Sequence, residues 1–317
     1  MGRRTALTGD NARTLRRAPG VLADTMAGDL QVDKAETLPM HVAHAGDGDR
    51  LCRSLAATQA SGPVSLQAVP LPLSGSTILS LISLAPAQVA DRLAQVVQSA
   101  SVRKGPVTVA FMNMRNFVAV RRDAAAIAAF SAMDEVYPDG VGLQVARHLA
   151  RLPRFPRVSG TETVPLLLAR LPAGTRIFLL GGNAEVSAAA AWQFSVLFPH
   201  LSLAGFHQGF FAATEDDRII ETIAASKAAV VLVGMGSPRQ EQWLACNRHR
   251  LPARLAICVG GLFHYWAGDL QRAPRTMQEL GLEWLWILAQ QPSKWRVYSL
   301  DAACFSLAMM RLRRRHP

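Results

Sequence analysis

Three short apolar segments of the chain end in glycine-rich turns, a pattern typical of sites that hold a phosphate group. The turns are Gly181-Gly182, Gly234-Met-Gly236 and Gly260-Gly261. Glycine permits a sharp turn and lets a ligand approach backbone N–H groups, and the N-terminus of a following helix attracts an anion. We therefore expect a phosphate group at the first two turns, although each turn alone also fits a tight strand-to-helix connection without a ligand.

A carboxylate stands in a rigid turn of its own, in the segment Tyr137-Pro-Asp-Gly140. Asp139 lies between a proline and a glycine, directly after a short apolar segment, so the turn fixes its direction. A carboxylate in this setting can act as a general base when it is partly desolvated. The alternative is an Asp-Gly turn in which the side chain caps its own backbone. The local sequence leaves both interpretations open.

Two later segments add the polar side chains that a phosphate-bearing ligand needs. In Ser237-Pro-Arg-Gln-Glu241, the proline and the acidic first turn favour a helix start, and Gln240 is placed to hydrogen-bond a polar ligand. Arg272 and Arg275 follow a glycine turn at Gly268 and are suited to clamp a diphosphate. Solvated charges on a loop are the alternative for these two arginines.

The elements that must position these residues alternate regularly after residue 78. Apolar segments at residues 176–180, 229–233 and 255–259 predict buried strands, and helical periodicity follows the first two, at residues 185–197 and 240–249. Strands of this kind that alternate with helices form a parallel sheet covered on both faces. We predict an α/β fold with a Rossmann-like, mostly parallel sheet, helices on both faces, and a helical, basic C-terminal appendage. Earlier strands are predicted at residues 79–82 and 107–111, and earlier helices at residues 87–100 and 123–133.

Changes in composition along the chain predict three parts. Residues 1–74 mix both signs of charge with weak periodicity, and we predict a poorly ordered extension with one short helix near residues 50–59. Residues 75–270 form the predicted Rossmann-like core, and residues 271–317 form the appendage. The last part ends in a basic segment, because residues 293–317 carry six Lys or Arg and one Asp.

The composition of the 317-residue chain excludes several classes of protein. With 50% hydrophobic residues the chain is not disordered as a whole, and four scattered cysteines without a CxxC pair indicate reduced thiols. A net charge of +11 favours a polyanionic partner: phosphates, anionic lipid or nucleic acid. No run approaches the roughly 18 apolar residues of a membrane span, and the N-terminus lacks a secretory leader, so we expect a cytoplasmic protein. Asp47-Gly-Asp49 resembles a metal-binding Asp-x-Asp, but no strand leads into it, and we expect no metal there.

Seven motifs occur in a characteristic order: Tyr137-Pro-Asp-Gly-Val-Gly142, Arg157-Val-Ser-Gly-Thr161, Leu180-Gly-Gly182, Gly205-Phe-His-Gln-Gly-Phe210, Val233-Gly-Met-Gly-Ser-Pro-Arg-Gln-Glu241, Val259-Gly-Gly261, and Gln271-Arg-Ala-Pro274 with Gly281-Leu-Glu-Trp284. Together they resemble the WecG/TagA/CpsF family of bacterial glycosyltransferases (glycosyltransferase family 26). The resemblance covers about residues 78–298. Each motif alone is common, but their joint occurrence is highly specific.

The resemblance implies an inverting hexosyltransferase that moves a sugar from a UDP-sugar to a polyprenyl-diphosphate-linked saccharide in bacterial surface or exopolysaccharide synthesis. The sugar is either of the N-acetylmannosaminyl or mannosaminuronyl type, or glucosyl. No cofactor is expected, since the family does not usually require a metal ion. The expected location is the inner face of the plasma membrane, where the basic C-terminal segment meets anionic lipid. No nucleic-acid partner is expected, and a homo-oligomer is left open.

The resemblance also assigns roles to individual residues. The general base falls on Asp139. Contacts to the UDP-sugar fall on Asn113, Gly140, Gly160, Thr161, Gly181, Gly182, Asn183, Gly234, Gly236, Pro238, Gln240, Glu241, Gly260 and Gly261. Contacts to the acceptor diphosphate fall on Arg157, Arg272, Arg275, Lys294 and Arg296. No residue is assigned to a metal.

At several positions the chain departs from the family pattern. Where the family often has Thr, Asp, Asp, Arg, Glu and Arg, this chain has Phe111, Glu162, His264, Ile287, Gln291 and Lys294. Charged positions are thereby neutralised or softened, which points to an acceptor that differs from that of other members. Residues 1–74 have no counterpart in the resemblance.

Two other classes of function compete with the transferase. A non-catalytic, basic nucleic-acid- or nucleotide-binding protein fits the net charge, but about half of that charge lies in one terminal segment and no recognition motif is present. A Rossmann-type oxidoreductase requires GxGxxG after the first strand and an acidic residue about 20 residues later, and the chain has neither.

Overall fold

The computed structural model describes residues 68–74, 77–99, 104–144, 156, 158–279, 282–295 and 305. Residues 68–74, 77–80, 275, 279 and 294 are described by their backbone alone. The helix expected near residues 50–59, the Asp47-Gly-Asp49 segment, Arg157 and Arg296 lie outside the described residues. Most of the basic terminal segment lies outside them as well.

The described elements alternate between strands and helices from residue 86 onward. Strands are β1 (Ala68–Ser74), β2 (Thr77–Ile82), β3 (Val107–Met112), β4 (Glu135–Pro138), β5 (Arg176–Gly181), β6 (Ser202–His207), β7 (Val230–Gly234) and β8 (Leu255–Cys258). Helices are α1 (Pro86–Gln98), α2 (Met114–Arg122), α3 (Ala124–Ser131), α4 (Gly160–Arg170), α5 (Ala184–Leu197), α6 (Asp216–Ser226), α7 (Arg239–Asn247), α8 (Leu262–Trp266), α9 (Arg275–Glu279) and α10 (Glu283–Gln290). Short 3₁₀ turns lie at Ala213–Glu215, Arg248–Arg250 and Pro292–Lys294.

Six strands form one parallel sheet in the order β4-β3-β8-β7-β5-β6. Strands β3, β7 and β8 are buried along their whole length, because helices cover both faces of the sheet. The predicted α/β, Rossmann-like architecture is therefore confirmed. Strands β1 and β2 form a separate antiparallel hairpin.

The hairpin begins before the predicted start of the core. Strand β1 lies inside residues 1–74, the segment predicted as an extension, and pairs with β2 from Ala68 to Ser74. The rest of that segment, residues 1–67, is not described, and the three-part division of the chain stays a prediction.

Two apolar cores lie on opposite faces of the sheet. One core contains residues of α2, α3, α6 and α7, including Phe117, Phe130 and Leu244. The other contains residues of α1, α4, α5 and α8, including Leu93 and Phe194. An ion pair between Arg170 of α4 and Asp91 of α1, 2.6 Å long, joins two helices of the second face.

The helices that follow β7 and β8 leave the sheet on opposite faces. Helix α7 contributes Trp243 to the first core, whereas α8 contributes Leu262 and Phe263 to the second. Adjacent parallel strands whose following helices diverge in this way leave a crevice between their carboxyl ends, where α/β proteins bind ligands. The glycine turns after β7 and β8 lie at this crevice.

One glycine pair holds β5 and β7 close together. Gly181 and Gly234 are opposite each other in the register of the two strands. A Cβ added to Gly181 would lie 2.3 Å from the Gly234 carbonyl oxygen, and Gly181 has a φ of +154°. Only glycine fits this approach of two backbones, so Gly181 is required by the sheet itself.

Among the described residues, no helix is long and apolar enough to cross a membrane.

Candidate active site

A cavity of about 950 Å³ opens at the carboxyl edge of the sheet. Strand ends and the turns after them line it: Phe111, Asn113, Asp139, Gly140, Gly182, Gly234, Met235, Gly236, Cys258, Val259, Gly260 and Gly261. Helices and their first turns form the walls: Met114, Arg115, Asn116, Val141, Gly142, Ser159, Gly160, Thr161, Ser237, Gln240, His264 and Tyr265. The outer wall is mostly apolar: Phe210, Leu270, Ala273, Glu283, Trp284, Ile287, Leu288, Gln291, Trp295 and Phe305.

Asp139 lies in the cavity wall immediately after β4 and is half-buried. Its backbone N–H donates a 2.8 Å hydrogen bond to the carbonyl of Met112 at the end of β3. The next residue, Gly140, has a φ of +80°, a conformation that favours glycine. The carboxylate therefore stands on a backbone that the neighbouring strand holds in place.

A buried polar cluster anchors β4, the strand that carries Asp139. Glu135 is 4% exposed and forms a 2.5 Å ion pair with Arg92 of α1. The Tyr137 hydroxyl donates a 2.5 Å hydrogen bond to the other carboxylate oxygen of Glu135. Burial, followed by the charge of Glu135, raises the pKa of Tyr137, so the hydroxyl remains a donor. This cluster fixes β4 against α1 and thereby the position of the turn.

Asn113 begins the helix next to Asp139. Its Oδ1 accepts a 2.9 Å hydrogen bond from the N–H of Asn116, which caps the N-terminus of α2. Asn116 in turn donates its side-chain amide to the Phe111 carbonyl over 2.9 Å. Both asparagines line the cavity. Asn113 is thus at the wall where a contact to the UDP-sugar is predicted. Its Oδ1 already accepts the hydrogen bond that caps α2.

The N-terminus of α4 forms the wall beside Asp139. The N–H of Val158 donates to the Pro138 carbonyl over 3.1 Å, which ties the start of α4 to the end of β4. The Ser159 and Thr161 hydroxyls lie 2.8 Å apart. A Cβ on Gly160 would approach the Phe111 ring to 3.1 Å. Gly160 and Thr161 therefore occupy the predicted donor-binding wall, and Phe111 packs beneath them.

Gln240 joins the two turns that bound the crevice. Its Oε1 accepts a 3.1 Å hydrogen bond from the N–H of Gly260 after β8, while its own N–H donates to the carbonyl of Gly236 after β7 over 3.0 Å. A Cβ on Gly234 would lie 3.1 Å from the Gly260 carbonyl oxygen, so the turns approach closely. Gln240 is 4% exposed and lines the cavity.

Four residues predicted to contact the donor do not line the cavity. Gly181 is buried where β5 meets β7, and the Asn183 side chain accepts from the N–H of Val186 to cap α5. Pro238 precedes the first residue of α7, and Glu241 is fully buried behind Gln240. These residues belong to the motifs of the site and are next to it in sequence. Their positions are determined by the packing of the strands and the capping of the helices.

The Gly182 amide, predicted to help hold a phosphate, has a partner within the protein. Gly182 lines the cavity, but its N–H donates to the Gly234 carbonyl over 3.1 Å. Its carbonyl accepts from the N–H of Gly209 over 2.7 Å. The turn after β5 therefore braces the sheet, and a ligand amide contact falls to the other turns.

Aromatic side chains are exposed around the outer wall. Phe210, Trp284 and Trp295 are 64%, 47% and 56% exposed. The Arg239 guanidinium lies over the Phe210 ring at 5.7 Å and over the Phe211 ring at 5.4 Å, and Arg239 donates to the Phe211 carbonyl over 3.0 Å. Cation–π contacts of this kind orient the phenylalanines at the mouth of the cavity.

The departures from the family pattern cluster on this cavity. Phe111, His264, Ile287 and Gln291 all line it. His264 Nδ1 lies 2.6 Å from Asp269 Oδ2, so an acidic group is retained near the position of the family aspartate. Gln291 Oε1 is buried without a hydrogen-bond partner, and Ile287 adds apolar surface where the family often has arginine.

The structure describes three of the five cationic residues predicted to contact an acceptor diphosphate. Arg272 is exposed and does not line the cavity; Arg275 begins α9, and Lys294 ends the last 3₁₀ turn. Instead, Arg115 of α2 lines the cavity. Within the described part of the chain, no group of three or more His, Cys, Asp or Glu is arranged to hold a metal ion.

Several lining residues escaped the sequence analysis. Arg115, Met114 and Asn116 belong to α2, where no helix was predicted from the sequence. Ser237 was part of a motif but was assigned only to a helix start. Trp284 of α10 was part of a motif, but nothing in the sequence alone placed the apolar side chains of this helix over the carboxyl edge of the sheet.

The fold and the site together define a class. The Rossmann-like sheet has a glycine-lined cavity at its carboxyl edge, a held carboxylate on one side and an apolar outer wall. This arrangement is typical of α/β proteins that bind a ligand between strand ends. Residues 78–317 match the model of the Glycosyl transferase WecG/TagA/CpsF family. The chain belongs to this family and is a glycosyltransferase of cell-surface polymer synthesis, which confirms the resemblance found in the motifs. Membership implies a nucleotide-sugar donor and a lipid-linked acceptor.

Proposed function

We propose that this protein transfers a sugar from a UDP-sugar to a polyprenyl-diphosphate-linked saccharide, with inversion at the anomeric carbon. The observation that carries the proposal is that Asp139, Gln240 and the turns after β7 and β8 line one cavity of about 950 Å³. This volume is at the upper end of the roughly 300–1,000 Å³ of small-molecule and cofactor sites, as expected for a sugar nucleotide together with the reacting end of an acceptor.

Asp139 supplies the base in this mechanism. An acceptor hydroxyl attacks the anomeric carbon from the face opposite the nucleotide, and the bond from that carbon to the UDP oxygen breaks. The hydroxyl proton passes to the Asp139 carboxylate, and UDP departs with the electron pair of the broken bond. The hydrogen bond from Asp139 N–H to Met112 keeps the turn fixed while the bonds change.

Charge develops on the departing UDP and needs donors around it. Three features of the wall support a diphosphate position between α4 and the crevice. Helix α4 begins at Gly160 in the cavity wall, and a helix N-terminus brings N–H groups without intrahelical partners and a positive dipole end. Arg115 adds a cation to the same cavity, and the Ser237 hydroxyl there is buried without a hydrogen-bond partner. The proposal includes no metal ion.

The outer wall suits the lipid-linked acceptor. Trp284, Ile287 and Leu288 of α10 give it an apolar surface that leads out of the cavity, and Phe210 and Trp295 are exposed at its edge. Aromatic side chains are favoured at the interface of a bilayer, where one end is apolar and the other wet. We infer that the protein works at an anionic membrane surface. Arg311, Arg313, Arg314 and Arg315 would draw it there by electrostatic attraction.

The experiment is UDP release from a panel of UDP-sugars with synthetic polyprenyl-diphosphate acceptors. The proposal expects release with one donor that depends on the acceptor and persists in EDTA, with a β-linked product. The panel includes UDP-glucose and UDP-N-acetylmannosamine, which separate the glucosyl from the N-acetylmannosaminyl type. If UDP release does not depend on the acceptor with any of the donors, the proposal is overturned. Loss of UDP release in EDTA would overturn its metal-independent form.

A further inference from the structure

A carboxylic acid that the proposed chemistry does not use lies behind the cavity wall. Glu241 is fully buried, and its neighbour Gln240 lines the cavity. Gln240 Nε2 donates a 2.8 Å hydrogen bond to Glu241 Oε1, and Gln240 Oε1 accepts from the N–H of Gly260. One side-chain amide thus connects the buried acid to the turn after β8.

Ser237 lies near the carboxyl group of Glu241. Glu241 Oε2 and the Ser237 hydroxyl are both buried without a hydrogen-bond partner, and the hydroxyl approaches the carboxyl group outside hydrogen-bond geometry. Because Oε1 accepts from Gln240, the proton of the neutral acid belongs on Oε2. Ser237 lies in the turn after β7 and lines the cavity. The acid therefore stands behind both turns of the crevice.

The surroundings of Glu241 favour its neutral form. Burial raises its pKa to about 7, and the hydrogen bond from Gln240 offsets only part of that effect. Among the described residues, the titratable group coupled to it is the Cys258 thiol, whose own pKa is raised by burial first and by Glu241 second. The neighbouring side chains that act on its pKa, Gln240 and Ser237, are neutral. An ionised Glu241 thus has no described cation to compensate it.

We propose that Glu241 couples the binding of an anionic ligand in the crevice between β7 and β8 to proton uptake, so that the protonated acid permits tight binding and the ionised acid weakens it. The inference rests on the proposed function, because it takes the diphosphate of the UDP-sugar as that anion. A negative ligand against Ser237 and Gln240 opposes ionisation of the acid behind them. By thermodynamic reciprocity, ionisation opposes the ligand to the same extent. Glu241 acts through its neighbours and is a positioning residue.

The test is calorimetric titration of the full chain with UDP-glucose and UDP-N-acetylmannosamine between about pH 6 and about pH 8.5, which spans the titration of Glu241. The diphosphate diester of a UDP-sugar keeps its charge over this range. In the wild type, Kd rises on the order of tenfold with pH, the scale of one charge interaction inside a protein. At about pH 7.5, titrations in buffers of different ionisation enthalpy show uptake of about half a proton per ligand, the amount that a tenfold change in Kd implies by linkage, and the uptake falls toward zero near pH 6.

Glu241→Gln keeps the shape and the acceptor for Gln240 but does not titrate, so both the pH dependence and the proton uptake disappear. Glu185→Gln, the same change at an exposed first-turn position of α5, keeps the wild-type behaviour. An equal pH dependence in the wild type and Glu241→Gln overturns this inference and leaves the proposed function standing. Absence of binding by either nucleotide at every pH overturns the proposed function and the inference with it. If Glu241→Gln does not fold, proton uptake near zero in the wild type overturns the inference.

Discussion

The backbone N–H of Asp139 donates a hydrogen bond to the carbonyl of Met112. The proposed base is therefore held at the end of the neighbouring strand. Asp139 itself lines the cavity. A carboxylate held in this way needs little reorganisation before it accepts a proton, and its replacement should affect the reaction far more than the fold.

We therefore expect Asp139→Asn to lower turnover by about 10²–10⁴-fold, the usual contribution of a positioned base. The amide has the same shape, and the hydrogen bond to Met112 comes from the backbone, so the thermal unfolding midpoint should stay close to that of the wild type. UDP release and the unfolding midpoint are measured on the same preparation. Turnover within a few fold of the wild type would remove Asp139 from the role of base.

The ion pair behind Asp139 gives a prediction about stability. Arg92→Met leaves the 4% exposed Glu135 without its cation, and we expect a loss of about 2 kcal/mol in the free energy of unfolding, less than for a fully buried pair because Arg92 is partly exposed. The double variant Arg92→Met with Glu135→Gln should recover part of that loss, since no uncompensated charge remains. Urea unfolding of the three proteins tests this; equal stability of the single variant and the wild type would show that the pair does not hold β4.

Two glycines of the site differ in what a methyl group would meet. Gly181→Ala places Cβ against the Gly234 carbonyl oxygen, and we expect destabilisation of about 3 kcal/mol or more. Gly261→Ala meets no atom within 4 Å and lies at a φ of −83°, so its stability should change by less than about 1 kcal/mol. Gly261 lines the cavity, however, and the added methyl should weaken UDP-sugar binding.

The matched pair is read by thermal unfolding and by calorimetric titration with the UDP-sugar. A stable Gly181→Ala protein would contradict the close approach of β5 and β7. Unchanged affinity in Gly261→Ala would place the ligand away from the turn after β8.

The buried acid also affects stability, independently of any ligand. The pKa of Glu241 is about 7 in the folded protein against an ordinary value of 4.5. Well below pH 4.5 both states are protonated, and ionisation of the acid does not affect stability. As pH rises toward about 7, the unfolded chain ionises first, so the folded state loses stability by up to about 3 kcal/mol.

The difference in unfolding free energy between the wild type and Glu241→Gln isolates this effect from other titrating groups. It should shift in favour of the variant between about pH 4.5 and about pH 7 and then level off. A difference that does not vary over this range would mean that Glu241 titrates normally in the folded protein.

The basic terminal segment gives a prediction for the membrane. Arg311, Arg313, Arg314 and Arg315 near anionic lipid contribute about 1 kcal/mol each. Deletion of residues 306–317, which keeps the buried Phe305, should therefore release the protein from vesicles that contain anionic lipid, as measured by co-sedimentation, while vesicles of neutral lipid show little binding in either case. Undiminished sedimentation of the truncated protein with anionic vesicles would assign the attachment to another surface.

The central strands could be predicted because strands buried on both faces consist of continuous apolar residues. Strands β5, β7 and β8 are continuous apolar segments followed by glycine, and each was predicted within a few residues of its observed bounds. Strand β6 (Ser202–His207) was missed, since an edge strand of the sheet is only partly covered and its sequence lacks a continuous apolar run. Helix α4 was missed as well, because Pro165 interrupts its helical pattern.

Some features of the site could likewise be predicted from the sequence, and others could not. Positions where the backbone itself must turn, such as Gly140 and Gly236, could be recognised from residue type. Burial depth could not: Gln240 lines the cavity and Glu241 lies behind it, although they are adjacent in one motif. Helix phase decides which of the two faces the ligand, and the motif alone does not encode that phase.

The central claim is that Asp139 and the crevice between β7 and β8 serve a single sugar nucleotide. A crystal structure of the protein with its UDP-sugar tests this directly. The account predicts the diphosphate within hydrogen-bond distance of the wall formed by Ser237, Gln240 and the first turn of α4, and the anomeric carbon on the side of Asp139. A nucleotide bound at the opposite edge of the sheet, or a sugar turned away from Asp139 toward solvent, would contradict it.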